Sequence, residues 1–218
     1  MLKISNFEVM GWEHAIRGMR NPMNSWENSD SWWWNSAFNY SNGTPVWSMG
    51  DNDLSLMKRL RNAGTDHRKF MRMIVVYLDL TAPLYWWKEF DTYKVGTVAN
   101  SCSTMHKIAE KRFKRDDFSH EHLMDGGNYI LNSTIDMLNE YRAQYLDSKD
   151  KKYWWQMIQL LPSSYNQRRT VMLNYEVLAN IYKSRRNHKL DEWHTFCDWI
   201  EELPYSELIT GYEEEEVK

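Results

Sequence analysis

The residues with the clearest chemical potential lie in one stretch, 91–103, which reads DTYKVGTVANSCS. It is rich in Thr, Gly, Asn, Ser and Cys, with Lys94 as its one fixed positive charge. Small polar side chains let a backbone approach a ligand closely and present hydroxyl and amide donors to it. Cys102 sits between two serines. If a helix begins near Ser103, its exposed N–H groups and dipole would favour a thiolate, the form of cysteine that attacks carbon. The competing reading is a small residue filling space, since free cysteine is among the most buried types. No general base stands beside it in sequence, and His106 lies a full turn on. The other cysteine, Cys197, is distant and no CxxC pair exists, so neither a zinc site nor a disulfide framework is expected. The dinucleotide, P-loop and HExxH motifs are absent from the sequence.

Such a stretch needs elements to hold it. Residues 71–80 form an apolar run rich in β-branched and aromatic side chains and predict a buried strand. Pro83 then starts a new element, and residues 84–90 predict a helix packed on the sheet. Upstream, residues 2–10 alternate loosely and predict an edge strand that Gly11 breaks. Residues 12–19 place Ala15, Ile16 and Met19 on one helical face. Residues 51–63 predict a helix capped by Asp51 or Asp53, with Gly64 just past its end. Residues 103–113 predict a helix with Met105, Ile108, Ala109 and Phe113 inward, and a basic run from Lys107 to Arg115 reads as its solvated side. A long helix follows within 119–146, with Ile130, Leu131, Ile135 and Leu138 recurring at helical spacing and Gly126-Gly127 breaking or kinking its start. A further helix over 150–161 ends at Pro162. Residues 168–174 predict a strand, 176–183 a helix, and 190–203 an amphipathic helix with Trp193, Phe196, Trp199 and Ile200 inward.

Residues 21–50 are the unusual segment, rich in Asn, Ser and Trp, with turn signals at Asn42-Gly43 and Thr44-Pro45. A loop of that length within a compact domain is functional or disordered. Trp32-Trp33-Trp34 argues for order, which leaves a lid, an intersubunit arm or a surface embellishment. At the other end, residues 213–218 form an acidic tail.

A chain of 218 residues suffices for one substantial core and predicts one domain, 1–218. Charged residues at 26% and hydrophobic ones at 42% place it among globular proteins. Its 12 Trp and 13 Met suit a flat-ligand pocket or a broad subunit interface, or simply a core. A net charge of -3 gives no support for nucleic-acid binding. With no signal-peptide core and no run of membrane-spanning length, the expectation is a soluble cytoplasmic protein without a membrane partner.

Two blocks of the sequence resemble the flavin-dependent thymidylate synthases. That family follows a strand and Ala-Pro with the pattern RHRxxSxNExSxRY. Laid from Ala82-Pro83 without gaps, the pattern falls on Thr92-Tyr93-Lys94, Thr97, Ala99-Asn100, Cys102 and Thr104-Met105. Lys94 keeps a charge and Thr97 a hydroxyl, while the other signature residues differ. The second block is similar to the family's run from Leu-Pro, through Arg, into a strand ending in Asn and a helix carrying Leu-x-Asn and then Arg. Here those positions are Pro162, Arg168, Asn174, Leu178, Asn180 and Arg185, again without a gap. The resemblance spans residues 51–193 or so.

The resemblance implies an α+β fold with a mixed or antiparallel central sheet flanked by helices, assembled as a homotetramer. It implies a pyrimidine nucleotide partner and reductive methylation at C5 of dUMP, or a related C5 transfer. The cofactors it implies are FAD, a folate as one-carbon donor, and NADPH. Arg168, Ser103, Thr104 and Lys94 would hold the nucleotide. Asn174, Asn180, Thr97, Asn100 and His67 would hold the flavin. Arg185 would stabilise charge on the pyrimidine. Cys102, at the family's Ser position, would fill space or add to C6 as a nucleophile. Replacing Arg-His-Arg by Thr92-Tyr93-Lys94 removes charge-assisted contacts worth about 1.5 to 3 kcal/mol each. A catalytically inactive, nucleotide-binding oligomer is therefore the alternative.

Overall fold

The computed structural model describes residues 1–34 and 46–211. The Asn42-Gly43 and Thr44-Pro45 turns and the acidic tail lie outside the described residues. The secondary structure is α+β: an antiparallel sheet of four strands accompanied by helices. Strand order is β1 (Lys3–Met10), β4 (Val75–Pro83), β6 (Asn166–Asn174), β5 (Val98–Ser101). The edge position expected for residues 2–10 is thus observed. Strands β2 (Trp32–Trp34) and β3 (Val46–Ser48) form a separate antiparallel pair.

The chain divides into two compact units. Unit 1 comprises residues 1–7, 78–94 and 98–171. In it, Pro83 stands at the N-cap of α3 (Leu84–Phe90), where its missing N–H costs nothing. Trp86, Trp87 and Phe90 point inward from α3, with the Trp86 and Phe90 rings stacked at 5.0 Å. Helix α4 (Thr104–Lys107) is a single turn, where the sequence predicts a helix to Phe113. The inward residues Ile108, Ala109 and Phe113 are buried as expected, but from turns, and Met105 is exposed. The irregular path is held from outside: Phe113 exchanges backbone hydrogen bonds with the Asn139 side chain, and Arg142 donates to the carbonyls of Ala109 and Glu110. Those donors sit on α5 (Asp125–Ser148), whose Leu131, Ile135 and Leu138 complete a core with Phe118 and with Met157 of α6 (Lys151–Leu160). Gly126-Gly127 lies in the first turn of α5, so it marks the start and kinks nothing; Ile130 faces solvent. Asp150 caps α6 through the Lys152 amide.

Unit 2 comprises residues 8–77, 95–97 and 172 onward. Gly11 (φ 96) turns β1 into α1 (Trp12–Arg20), and a Cβ there would lie 2.1 Å from the Met73 carbonyl oxygen, so only glycine fits. Residues 21–34 are not a structureless loop: two 3-10 turns, Asn21–Met23 and Trp26–Asn28, lead to β2. Helix α2 (Asp51–Asn62) is capped by neither expected residue; the Asp30 carboxylate accepts from the Asn52 and Asp53 amides. Residues Arg68–Met73 form a 3-10 helix instead of the beginning of a strand. Phe70, Met71 and Ile74 bury at three- and four-residue spacing, and two-residue alternation starts only at Val75. Helices α7 (Tyr175–Arg185) and α8 (Asp191–Glu201) appear where expected, with Trp193, Phe196, Trp199 and Ile200 buried, and α9 (Glu207–Thr210) follows.

Candidate functional site

Strand β6 sorts its side chains by alternation. Gln167, Val171 and Leu173 go inward, while Arg168 and Thr170 go out. On β4 the matching outward residue is Asp79, an acid within an otherwise apolar strand. Its carboxylate accepts from Arg168 (2.6 Å), Thr170 (2.6 Å) and Asn6 (2.8 Å). The Thr170 hydroxyl, then Asn6 and Arg168, hold the Asp79 carboxyl well below the usual carboxylate range. Arg168 therefore enters any ligand complex from an existing ion pair.

The inward side of β6 fixes the strand's other neighbour. Trp87 donates to the Gln167 carbonyl at 3.0 Å, and Gln167 donates from its side chain to the Cys102 carbonyl at 2.9 Å. The Cys102 amide in turn donates to the Arg168 carbonyl at 2.9 Å. Arg169 lies 4.1 Å over the Trp87 ring and pairs with Asp91. Cys102 is thus held by its backbone on both sides, while the residue remains exposed.

These contacts open a cavity of about 390 Å³ in unit 1. Four residues singled out from the sequence line it together: Cys102, Ser103, Thr104 and Arg168. Lys107, Lys111 and Arg112 add positive charge, Glu110 and Asp117 negative, and Tyr165, Asn166 and Gln167 form the rest of the wall. With four cations against two acids, the lining favours an anion. Burial, and then the charges of Asp117 and Cys102, push the Tyr165 phenol up, so it remains a neutral donor at physiological pH. Ser103 caps the single turn of α4 by accepting from the His106 amide at 3.0 Å. One turn carries little macrodipole, so the support a long helix would lend to a Cys102 thiolate falls away. Lys94 and Asn100 are exposed in the same unit, and Thr92 spends its hydroxyl on the Glu89 carbonyl.

The other expected residues belong to unit 2. Asn174 caps α7 by accepting from the Val177 amide at 3.0 Å. Gly96 (φ 80) passes close above: a Cβ there would lie 2.9 Å from Asn174 Nδ2. Beside it, Thr97 Oγ1 is buried without a hydrogen-bond partner among the described residues. Asn180 accepts from Arg68 at 3.4 Å, and Glu176 binds both Arg68 and Arg72. His67 is exposed ahead of that 3-10 helix. Arg185 ends α7 with its guanidinium 4.9 Å over the Trp193 ring. Asp79, Gln167 and Tyr165 were missed in the sequence, although a lone Asp in an apolar strand was a legible signal for the first.

No family model matches the sequence, and no curated protein matches it. Solved structures do. Thymidylate Synthase X (ThyX) from Helicobacter pylori, crystallised with FAD and dUMP, superposes with a TM-score of 0.68 at 15% identity, over 96% of this chain and 97% of that one. The fold is that of the flavin-dependent thymidylate synthases. A UMP/dUMP methylase, PolB from Streptomyces cacaoi, bound with 5-Br dUMP, has the same fold at a TM-score of 0.63 and 11% identity, over 97% of this chain and 95% of its own. Among the described residues no helix is long and apolar enough to cross a membrane.

Proposed function

We propose that this chain binds a pyrimidine nucleotide of the dUMP class in the unit 1 cavity and acts on its C5 position. The observation that carries the reading is that Cys102, Ser103 and Thr104 from one sequence block and Arg168 from another line one cavity with a surplus of positive charge. The Arg168 fork would take the phosphate, exchanging Asp79 for a ligand oxygen pair. The Ser103 and Thr104 hydroxyls would hydrogen-bond the remaining phosphate oxygens. Solved structures of the same fold with dUMP or 5-Br dUMP support the choice of ligand. Calorimetric titration with dUMP and with deoxyuridine tests it. dUMP binds and deoxyuridine binds far more weakly; Arg168→Ala weakens dUMP by roughly 10- to 100-fold. Equal affinity for the two ligands would sink the reading.

A flavin fits these residues in part. Thr97 Oγ1 is an orphaned buried group, and Gly96 leaves the backbone bare beside Asn174, which suits the edge of a flat ring with donors and acceptors. Within unit 1 the Thr92-Tyr93-Lys94 triplet offers an anion little, because Thr92 is already bonded to Glu89 and only Lys94 is charged. A reduced flavin, when bound, supplies hydride to the one-carbon unit on C5, and the protein supplies positioning and charge. The folate donor, NADPH, the homotetramer and the role of Arg185 rest on the resemblance alone. The second reading, a nucleotide-binding module without chemistry, is favoured by the same Thr92-Tyr93-Lys94 triplet. Flavin absorbance in the purified protein separates the two, since the inactive module has no need of it.

A further inference from the structure

Unit 2 contains a second cavity, of about 310 Å³, that the nucleotide reading does not use. Its walls are the indoles of Trp26, Trp32, Trp33 and Trp47, with Ile16 and Arg17 of α1. The three indoles Trp26, Trp32 and Trp33 are each about half exposed, at 47%, 48% and 50%. Two of them, Trp26 and Trp33, are nonetheless anchored. Trp26 Nε1 donates to Asn21 at 2.8 Å, Trp33 Nε1 donates to Glu13 at 3.0 Å, and Trp33 meets Trp47 edge to face at 5.0 Å. A rigid, water-facing cluster of indoles is costly for a surface that only needs to be wet. It is the form of a stacking platform.

The polar groups on the wall narrow the ligand. The Ser29 hydroxyl and Arg20 are committed to Asp53, and the Ser31 hydroxyl accepts from the Gly50 amide. The Glu13 carboxylate is taken by Trp33. Arg17 is different: it is exposed on α1, and its guanidinium has no hydrogen bond or ion pair among the described residues. Indole faces alone would also attract a quaternary ammonium. Here the Arg17 guanidinium opposes a cation, while the charge of Arg20 on the same wall is balanced by Asp53. We propose that this cavity binds a flat aromatic or heteroaromatic ring carrying an anionic group, with the ring stacked on the indoles and the anion on Arg17. Its volume is at the small end for ligand sites and suits one such ring system.

The test uses AMP, adenosine and choline as probes on the full chain. AMP quenches tryptophan fluorescence saturably, and its indole N–H NMR shifts fall on Trp26, Trp32, Trp33 and Trp47. Arg17→Gln, a change at an exposed helix position, weakens AMP about ten-fold and leaves adenosine, already weak, unchanged. Trp32→Ala weakens both. The proposal is overturned if AMP does not bind, if Arg17→Gln binds AMP as tightly as the parent, if choline binds better than AMP, or if the shifts fall on Trp154 or Trp155 instead.

Discussion

Asp79 draws three donors onto one carboxylate, two of them from the strand that carries the proposed phosphate ligand. Asp79→Asn would keep the shape and remove the charge. Its stability effect has a defined pH dependence. The folded-state pKa is depressed, so the contribution is complete above the unfolded value, about pH 4, and is lost as pH falls through the folded value. Thermal melts should show the parent more stable than Asp79→Asn at pH 7, with the gap closing as the solution is acidified below about pH 4. A gap that widens in acid would refute the assignment. Cys102 offers a second check. If it acts as a nucleophile, a mild alkylating agent near neutral pH reacts with it faster than with free cysteine, and dUMP protects it. If it only packs, neither effect is seen. Cys197 is an internal control, because burial pushes its thiol up to about 11.

At the scale of elements, the sequence exposed most of what local chemistry decides. Pro83 fixes its own φ, Gly11 permits the positive φ that ends β1, and the periodicity of α1, α7 and α8 follows from their own side chains. What it hid was decided from a distance. Residues 108–113 satisfy their backbone on Asn139 and Arg142, which no window around them contains. The cap of α2 comes from Asp30, some twenty residues upstream. The candidate site shows the same division: Arg168 and Cys102 stand out by type and spacing and Asp79 as an acid in an apolar strand, whereas Gln167 matters only through its bond to the Cys102 carbonyl. Asp53 is the strongest test at this scale. It is fully buried, paired with Arg20 at 2.6 Å, and accepts from Ser29, Asp30 and Ser31. Asp53→Ala strands the Arg20 charge and should cost about 3 to 5 kcal/mol in chemical denaturation. Gly50→Ala should also destabilise, because its Cβ would lie 2.1 Å from the Asp30 side chain. A loss below 1 kcal/mol or so for Asp53→Ala would mean the pair is solvated.

At the scale of the molecule, a chain 15% identical to its structural neighbour keeps the fold over 96% of its length. That is possible because the order of buried and exposed positions, not residue identity, specifies the layers. Native mass spectrometry is expected to show a tetramer, and a monomer alone would remove the assembly inferred from the resemblance. Asp30 and Asp53 carry a further consequence for the way the whole chain opens. Each carboxylate receives the amide of the other's segment: Asp30 from Asn52 and Asp53, Asp53 from Asp30 and Ser31. Fraying of either segment breaks all four of these hydrogen bonds together, and departure of residues 30–31 also uncovers part of the buried Asp53 carboxylate. In deuterium exchange the four amides of Asp30, Ser31, Asn52 and Asp53 should therefore release their protons with one common rate, and Asp53→Asn should split that rate into two.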